Sequence, residues 1–249
     1  MTQSFHSRLK AGNLLIGTIV SLDSPEVAEV LSAAGFDWLF IDAEHGPLDA
    51  LAIQRILQGA GSTPCLVRVA QSSEVPIKQA LDVGAAGIIA PMVNSAEQAA
   101  QVVHWAKYPP LGTRGVGAGR AQGYGFEFKE YIARANAETA VIVQAEHFEA
   151  VENIASIAKV AGIDAILVGP NDLSASLGHL GDMAHPDVVS AIEHVTQVCQ
   201  AAQMPLGIFG MMAEAVKPYI KRGYTLITVG IDTVLLGTAA RQLLAQLKA

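Results

Sequence analysis

The sequence predicts an α/β chain of one domain, residues 1–249, in which eight parallel strands close into a (β/α)8 TIM barrel. Three observations carry that expectation. Eight short runs are continuously apolar, as parallel strands buried on both faces must be. Each run is followed by a stretch of helical period. And 249 residues hold eight such units around one core, with no room for two large domains. An open doubly wound sheet is the competing arrangement, but its first turn usually carries a Gly-rich fingerprint. The segment after Val20 reads SLDSPEV and carries none.

Taken in order, the first strand is LLIGTIV (14–20), followed by a helix that opens at Pro25 and stops at Gly35. WLFID (38–42) is the second strand, with its helix around LDALAIQRILQGAG. PCLVRV (64–69) precedes SEVPIKQALDVG, and AGIIAPM (86–92) precedes SAEQAAQVVHWA. AVIVQAE (140–146) precedes HFEAVENIASIAKVAG. AILVG (165–169) leads through a short polar turn to HPDVVSAIEHVTQVCQAA. PLGIF (205–209) precedes MMAEAVKPYIKRG, and LITVG (226–230) precedes DTVLLGTAARQLLAQLKA. One stretch, 107–138, is too long and too rich in Gly and Arg for a plain connection, and loops of that length usually have a task.

Composition removes several classes. Apolar residues make up 51% and charged residues 16%, which fits neither a disordered tail nor a coiled coil. The net charge of -7, with no basic patch, argues against nucleic acid. Cys65 and Cys199 sit singly in apolar stretches, as in a reducing compartment. The polar opening MTQSFHSRLK and the short apolar runs predict no signal peptide, no membrane span and a cytoplasmic protein.

A barrel of this kind places its chemistry at the C-terminal ends of its strands. The polar residues there are Asp42, Glu44, His45, Arg68, Gln144, Glu146, Asn171, Asp172 and Asp232. Asp42 and Asp232 also suit a capping role, and His45 an ordinary turn. Arg68, between two valines in a strand, needs a paired anion. Gln144 and Glu146, two apart, share one side of their strand. Asp172 arrives from the neighbouring strand end. Two carboxylates and an amide are oxygen donors suited to Mg²⁺ or Mn²⁺, although an ion-pair network would use the same residues. All eight lysines fall in predicted helices or loops, so no strand lysine is offered for a Schiff base. If this barrel breaks C–C bonds, a metal must supply the electrophile. The run RGVGAGRAQGYG (114–125) lacks a phosphate-loop signature and reads as a wall of the site or a subunit contact. GPNDLSASLG can present the backbone N–H groups of Asn171 and Asp172 to an anion.

Several segments resemble the HpcH/HpaI aldolase family of metal-dependent class II pyruvate aldolases, which serve aromatic and sugar-acid catabolism. They are GFDWLFIDAEHGP (35–47), the strand with Arg68, IKQALDVGA (77–85), YPPLGTRGVG (108–117), VQAE (143–146), GPNDLSASLG with His185-Pro186, and VGIDTVLL (229–236). The resemblance runs through essentially the whole chain. It implies reversible cleavage of 4-hydroxy-2-oxo acids to pyruvate, or a close 2-oxo acid, and an aldehyde through a metal-stabilised enolate. It further implies Glu146 and Asp172 as metal ligands for Mg²⁺, Mn²⁺ or Co²⁺, His45 as base with Asp42 orienting it, and Arg68 on the keto acid. Gln144 would hold a water or the substrate beside the metal, and the amides of Asn171 and Asp172 would clasp the pyruvate carboxylate. Glu44 points elsewhere in an extended geometry and reads as a structural partner.

The resemblance also implies a homohexamer, a dimer of trimers, with the last helix exchanged between subunits. Departures from the family pattern are Ala43, Asn171, an Ile19 where an aromatic is common, and Phe209, which would restrict the aldehyde pocket. Partners are then small molecules only, with no nucleotide, nucleic acid or membrane. A lyase acting on an acyl-CoA thioester, and a non-catalytic binding or assembly protein, are the alternatives. The first lacks a basic trough for the adenosine phosphates. The second does not need Arg68, Glu146 and Asp172 all at strand ends.

Overall fold

In the computed structural model, which describes residues 3–248, the strands form a closed parallel barrel in sequence order. They are β1 (Leu15–Val20), β2 (Trp38–Asp42), β3 (Cys65–Arg68), β4 (Gly87–Ala90), β5 (Ala140–Ala145), β6 (Ala165–Val168), β7 (Leu206–Gly210) and β8 (Leu226–Ile231). β8 pairs back onto β1 and closes the ring.

Helices α1 (Phe5–Lys10), α2 (Pro25–Ala33), α3 (Ala50–Gly59), α4 (Glu74–Asp82), α5 (Ala96–Ala106) and α6 (Phe128–Glu138) belong to the first half. α7 (Phe148–Glu152), α8 (Ile154–Ile157), α9 (Pro170–Ser176), α10 (Pro186–Ala201), α11 (Ala213–Lys221) and α12 (Asp232–Lys248) belong to the second. The starts of α2, α3 and α5 are capped by Ser24, Asp49 and Ser95, whose side chains accept first-turn N–H groups.

Period-two alternation sorts every strand into two sets. One set packs outward under the helices: Leu39, Ile41, Val67, Ile88, Val141, Val143, Ile166 and Ile208. The other fills the barrel: Leu15, Ile19, Trp38, Phe40, Leu66, Ile89, Ala140, Ile142, Ala165, Leu167 and Leu226. The Trp38 ring takes so much of the lower interior that a Cβ at Gly17 would lie 2.5 Å from it, so β1 can pass only as glycine. The inward columns change character on rising through the barrel. β2 reads Trp38, Phe40, Asp42; β3 reads Leu66, Arg68; β5 reads Ala140, Ile142, Gln144 and then Glu146 just past its end. The floor is apolar and the mouth is polar.

The floor is covered by α1, a helix not foreseen from the sequence. Its Phe5 and Leu9 are buried in the interior cluster. Its polar side is tied to strand bases by His6–Asp164 (3.0 Å), Lys10–Asp164 (2.9 Å) and Arg8–Asp37 (2.5 Å). The expected single helix after β5 is instead two short ones meeting at Asn153. The irregular stretch holds a 3-10 turn, Arg120–Gly125, and α6. Within it Arg114 is 2% exposed, reaches Asp82 at 2.8 Å and lies 4.5 Å from the Tyr108 ring centroid. That arginine is a clasp between loop and α4.

α12 differs from the other helices. Only Asp232 is buried, and Val234, Leu235, Leu236, Leu243, Leu244 and Leu247 are all exposed. Both cysteines are buried and free, and no helix among the described residues is long and apolar enough to cross a membrane.

Candidate active site

The barrel mouth holds a cavity of about 420 Å³ lined by Asp42, His45, Arg68, Gln144, Asn171, Asp172 and Phe209, with Ile19, Phe40 and Leu167 beneath. A larger groove, about 600 Å³, lies at the opposite end, where the bases of β3 and β5 meet Arg120 and Arg134. The converging strand-end residues favour the smaller space as the site.

Arg68 ends β3 directly beside Asp42 of β2 in the parallel register. Its guanidinium is held by two hydrogen bonds, Nε–H to Asp42 Oδ1 at 2.9 Å and Nη2–H to Asp42 Oδ2 at 2.7 Å. The third nitrogen, Nη1, lies 3.1 Å from Glu44 Oε2. This is the paired anion that a strand arginine requires, and it is fork-on-carboxylate geometry. Burial works to raise the Asp42 carboxyl, but the Arg68 hydrogen bonds and charge outweigh it and hold the group below the usual carboxylate range. Burial also works to lower the Arg68 guanidinium, and Asp42 and Glu44 more than restore it.

Asp42 does not reach the His45 imidazole. Its Oδ1 accepts the backbone N–H of Glu44 at 3.1 Å and of His45 at 3.3 Å, so it shapes the turn and leaves the ring alone. The His45 side chain is 64% exposed, and the carboxylate beside it is Glu44, at 3.8 Å from Nε2. The expectation that Glu44 points away fails because β2 ends at Asp42. The chain then turns, and the alternation of an extended strand no longer applies.

Gln144 and Glu146 share one side of β5, as their spacing requires, and Gln144 Nε2–H donates to Glu146 Oε2 at 2.6 Å. Glu146 Oε1 accepts the Met92 N–H at 2.7 Å. The carboxyl is 2% exposed, and burial pushes it up to about 7; Glu44 and Asp172 add to the rise, and the Met92 bond and Arg68 only partly oppose it. Gln144 Oε1 is buried and has no partner. β6 makes room for this pair at Gly169, where a Cβ would lie 2.9 Å from both Glu146 Cβ and Oε2. An under-compensated buried carboxylate beside an orphaned amide oxygen is a hard-oxygen donor set that fits a divalent cation.

The polar segment after β6 is the helix α9, with Pro170 in its first turn. Asn171 and Asp172 therefore sit where helix N–H groups face outward, on the rim of the cavity. Phe209 of β7 lines the same cavity, and its ring is part of the interior packing. Asp232 takes the capping role: it accepts the N–H groups of Ser21 and Leu22, each at 2.9 Å, and joins the ends of β8 and β1. His147 points away and accepts the Glu149 N–H at the start of α7.

Lys107 is buried outside the strands, donating to the carbonyls of Asn136 (2.9 Å) and Thr139 (2.7 Å), and is no part of the mouth. Among the described residues, the one group of three His, Cys, Asp or Glu side chains with ligating atoms within 4.8 Å of one another is His179, His185 and Asp187. This candidate metal-binding cluster lies in the loop entering α10, outside the mouth. His185 Nδ1 there accepts the Asp187 N–H, His179 pairs with the Asp187 carboxylate at 3.0 Å, and the two imidazole rings stack. No sequence reading pointed to it, because the two histidines lie six residues apart in a loop, without the spacing of a helical ligand pair.

Residues 15–239 match the family described as HpcH/HpaI aldolase/citrate lyase. The chain is 41% identical to a 2-dehydro-3,6-dideoxy-6-sulfogluconate aldolase of Pseudomonas putida, covering 96% of this chain and 95% of that protein. It is 40% identical to a 4-hydroxy-2-oxo-heptane-1,7-dioate aldolase of Shigella sonnei, covering 99% and 95%. The crystal structure of an HpcH/HpaI aldolase/citrate lyase family protein from Burkholderia cenocepacia superposes with a TM-score of 0.95 at 38% identity over 100% of both chains.

Proposed function

The chain belongs to the HpcH/HpaI aldolase/citrate lyase family, and from that premise we propose that it is a metal-dependent class II aldolase. Its reaction is the reversible cleavage of a 4-hydroxy-2-oxo acid to pyruvate, or a close 2-oxo acid, and an aldehyde. One observation carries this reading. Glu146 is a buried carboxylate whose burial raises it to about 7, and it is hydrogen-bonded to Gln144 of the mouth in which Arg68 is held by Asp42. That pairing supplies a cation site and a fixed positive charge on the two sides of one reacting group.

Glu146 and Asp172 would hold the cation, with the Gln144 amide beside them. A divalent ion such as Mg²⁺, Mn²⁺ or Co²⁺ supplies electrophilic stabilisation of the enolate. The chain's own residues do the rest. The N–H groups of Asn171 and Asp172, in the first turn of α9, receive the 2-oxo acid's carboxylate. Arg68 places its charge where negative charge develops, and its two carboxylate partners prevent it from reorienting during the reaction. His45 accepts the proton of the C4 hydroxyl as the C3–C4 bond breaks. The O–H electron pair becomes the aldehyde C=O, and the C3–C4 pair withdraws into the enolate. Phe209, above Leu167, limits the length of the aldehyde.

The assembly belongs to the same proposal. α12 carries six exposed large apolar side chains and buries almost nothing on its own barrel. Such a helix fits a face covered by another copy, with exchange between subunits of a hexamer built from two trimers. Two buried free cysteines support a reducing, cytoplasmic setting.

The test is release of pyruvate from a panel of 4-hydroxy-2-oxo acids, reported by lactate dehydrogenase, before and after chelation. Turnover is expected to vanish with chelator and to return with Mg²⁺, Mn²⁺ or Co²⁺. Borohydride with pyruvate should leave the protein unlabelled. A trapped covalent adduct, or full turnover in chelator, would overturn the reading.

A further inference from the structure

We propose that His179, His185 and Asp187 form a second metal site on this chain, one that takes a nitrogen-seeking ion such as Zn²⁺ and is separate from the oxygen donors of the mouth. The argument begins with distance. In a tetrahedral zinc site with bonds of about 2.0–2.1 Å, neighbouring ligand atoms lie about 3.3–3.4 Å apart. His179 Nε2 lies 3.0 Å and His185 Nδ1 3.6 Å from the same oxygen, Asp187 Oδ2. Those two distances bracket the edge of the tetrahedron, and all three residues bring a ligand atom within 4.8 Å of the others. The imidazoles stack with centroids 3.4 Å apart and planes 16° from parallel, so they have to splay for their lone pairs to converge. Both rings are partly exposed and have room to do so.

The backbone beneath these ligands is fixed from both sides. The His179 N–H donates to the Ser174 carbonyl of α9 at 2.7 Å, and the His179 carbonyl accepts the Asp182 N–H at 2.9 Å. His185 caps the start of α10, and its N–H donates to the Asp182 carbonyl at 3.2 Å. The loop between the two histidines is therefore a closed turn, and side-chain torsions alone separate the present arrangement from coordination. His185 Nδ1 now accepts the Asp187 N–H at 3.3 Å, a long bond that the ion would replace. The freed N–H belongs to an exposed residue, where water can satisfy it.

Donor chemistry keeps the two sites apart. Two imidazoles and one carboxylate suit Zn²⁺, Ni²⁺ or Cu²⁺, whereas Mg²⁺ prefers oxygen ligands and dehydrates reluctantly. Three protein ligands leave the fourth position to water. An ion held there ties the end of α9 to the start of α10. Because α9 carries Asn171 and Asp172 in its first turn, the tie stiffens the segment that forms one rim of the mouth.

The test is equilibrium dialysis of the intact, chelator-stripped protein against Zn²⁺ in excess Mg²⁺. Wild type is compared with His179→Ala, with Asp187→Asn, and with the double variant E146Q/D172N, which removes the proposed ligands of the mouth. The affinity for one Zn²⁺ per chain should fall about 100-fold or more in H179A and in D187N, and should persist in E146Q/D172N. In excess Mg²⁺, Zn²⁺ should also raise the melting temperature of wild type, and H179A should abolish that rise. Equal Zn²⁺ affinity in wild type and H179A would overturn the proposal, as would a wild type that binds no Zn²⁺ beyond the ion lost in E146Q/D172N. The aldolase reading is tested by pyruvate release and is untouched by either result.

Discussion

Replacing Glu146 with Gln should stabilise the metal-free protein at neutral and alkaline pH, although it removes a proposed metal ligand. Burial raises this carboxyl from 4.5 to about 7 in the folded chain, and the unfolded chain restores the ordinary value. Below the unfolded value both states are protonated and the group contributes nothing. Between roughly pH 4.5 and 7 the unfolded state ionises first, so stability falls as pH rises. Above pH 7 the full penalty is present, about 3 kcal/mol for a rise of this size. Glutamine cannot ionise, and the local hydrogen bonds can follow the change. The Met92 N–H keeps an amide oxygen, and the orphaned Gln144 Oε1 becomes an acceptor for the new amide when Gln144 flips.

The assay is urea unfolding in chelator at fixed protein concentration, compared near pH 5 and near pH 8. E146Q should unfold at higher urea than wild type near pH 8, and the gap should shrink to a small fraction near pH 5. Saturating Mg²⁺ or Mn²⁺ should narrow the alkaline gap from the other side, by stabilising wild type alone. A gap independent of pH, or a variant less stable than wild type near pH 8, would refute the reasoning.

Phe209→Ala should shift kcat/KM toward longer aldehydes by about ten-fold relative to short ones, the effect of one or two methylene equivalents in a pocket. Measuring long-to-short ratios in both proteins checks this, and unchanged ratios would return Phe209 to packing alone. Arg68→Ala leaves Asp42 and Glu44 facing each other unpaired, so it should cost about 3–5 kcal/mol of stability and about 10²-fold or more in turnover. Denaturant titration and pyruvate release measure the two effects. Ending the chain after Gly237 removes Leu243, Leu244 and Leu247. Light scattering should then report dissociation, provided that the intact protein is an oligomer under the same conditions.

The strands were legible because a parallel barrel asks little of them beyond an unbroken apolar run, and their ends differ from the expected ones by a residue or two. The side-by-side placement of Gln144 and Glu146 was legible for the same reason, since parity survives as long as the strand does. Arg68 announced its need for an anion, and the register supplied Asp42. Glu44 is a structural partner of Arg68 as the sequence suggests, but its direction is not legible where parity stops, at the turn that follows Asp42. α9 reads as a short polar turn because seven mostly polar residues carry too little apolar period to register as a helix. α1 was missed because its buried pair, Phe5 and Leu9, faces the barrel floor, an environment no local pattern describes. The hydrogen bond from the Met92 N–H and the room left by Gly169 at Glu146 are backbone effects, and side-chain chemistry carries no signal for them.

The plug formed by α1 has a consequence for how this chain acquires its shape during synthesis. Phe5–Lys10 is made before every strand of the barrel, yet the residue that anchors both His6 and Lys10 lies 158 positions beyond His6. Until Asp164 leaves the ribosome the segment has no floor to close, and at about 5–20 residues per second that interval lasts from several seconds to half a minute. The barrel's first-made helix is therefore among its last to dock, and Phe5 and Leu9 stay available to chaperones throughout. A fusion at this end would leave that interval unchanged, since it is set by the chain between His6 and Asp164, whereas one placed after α12 would meet a barrel whose base is already sealed.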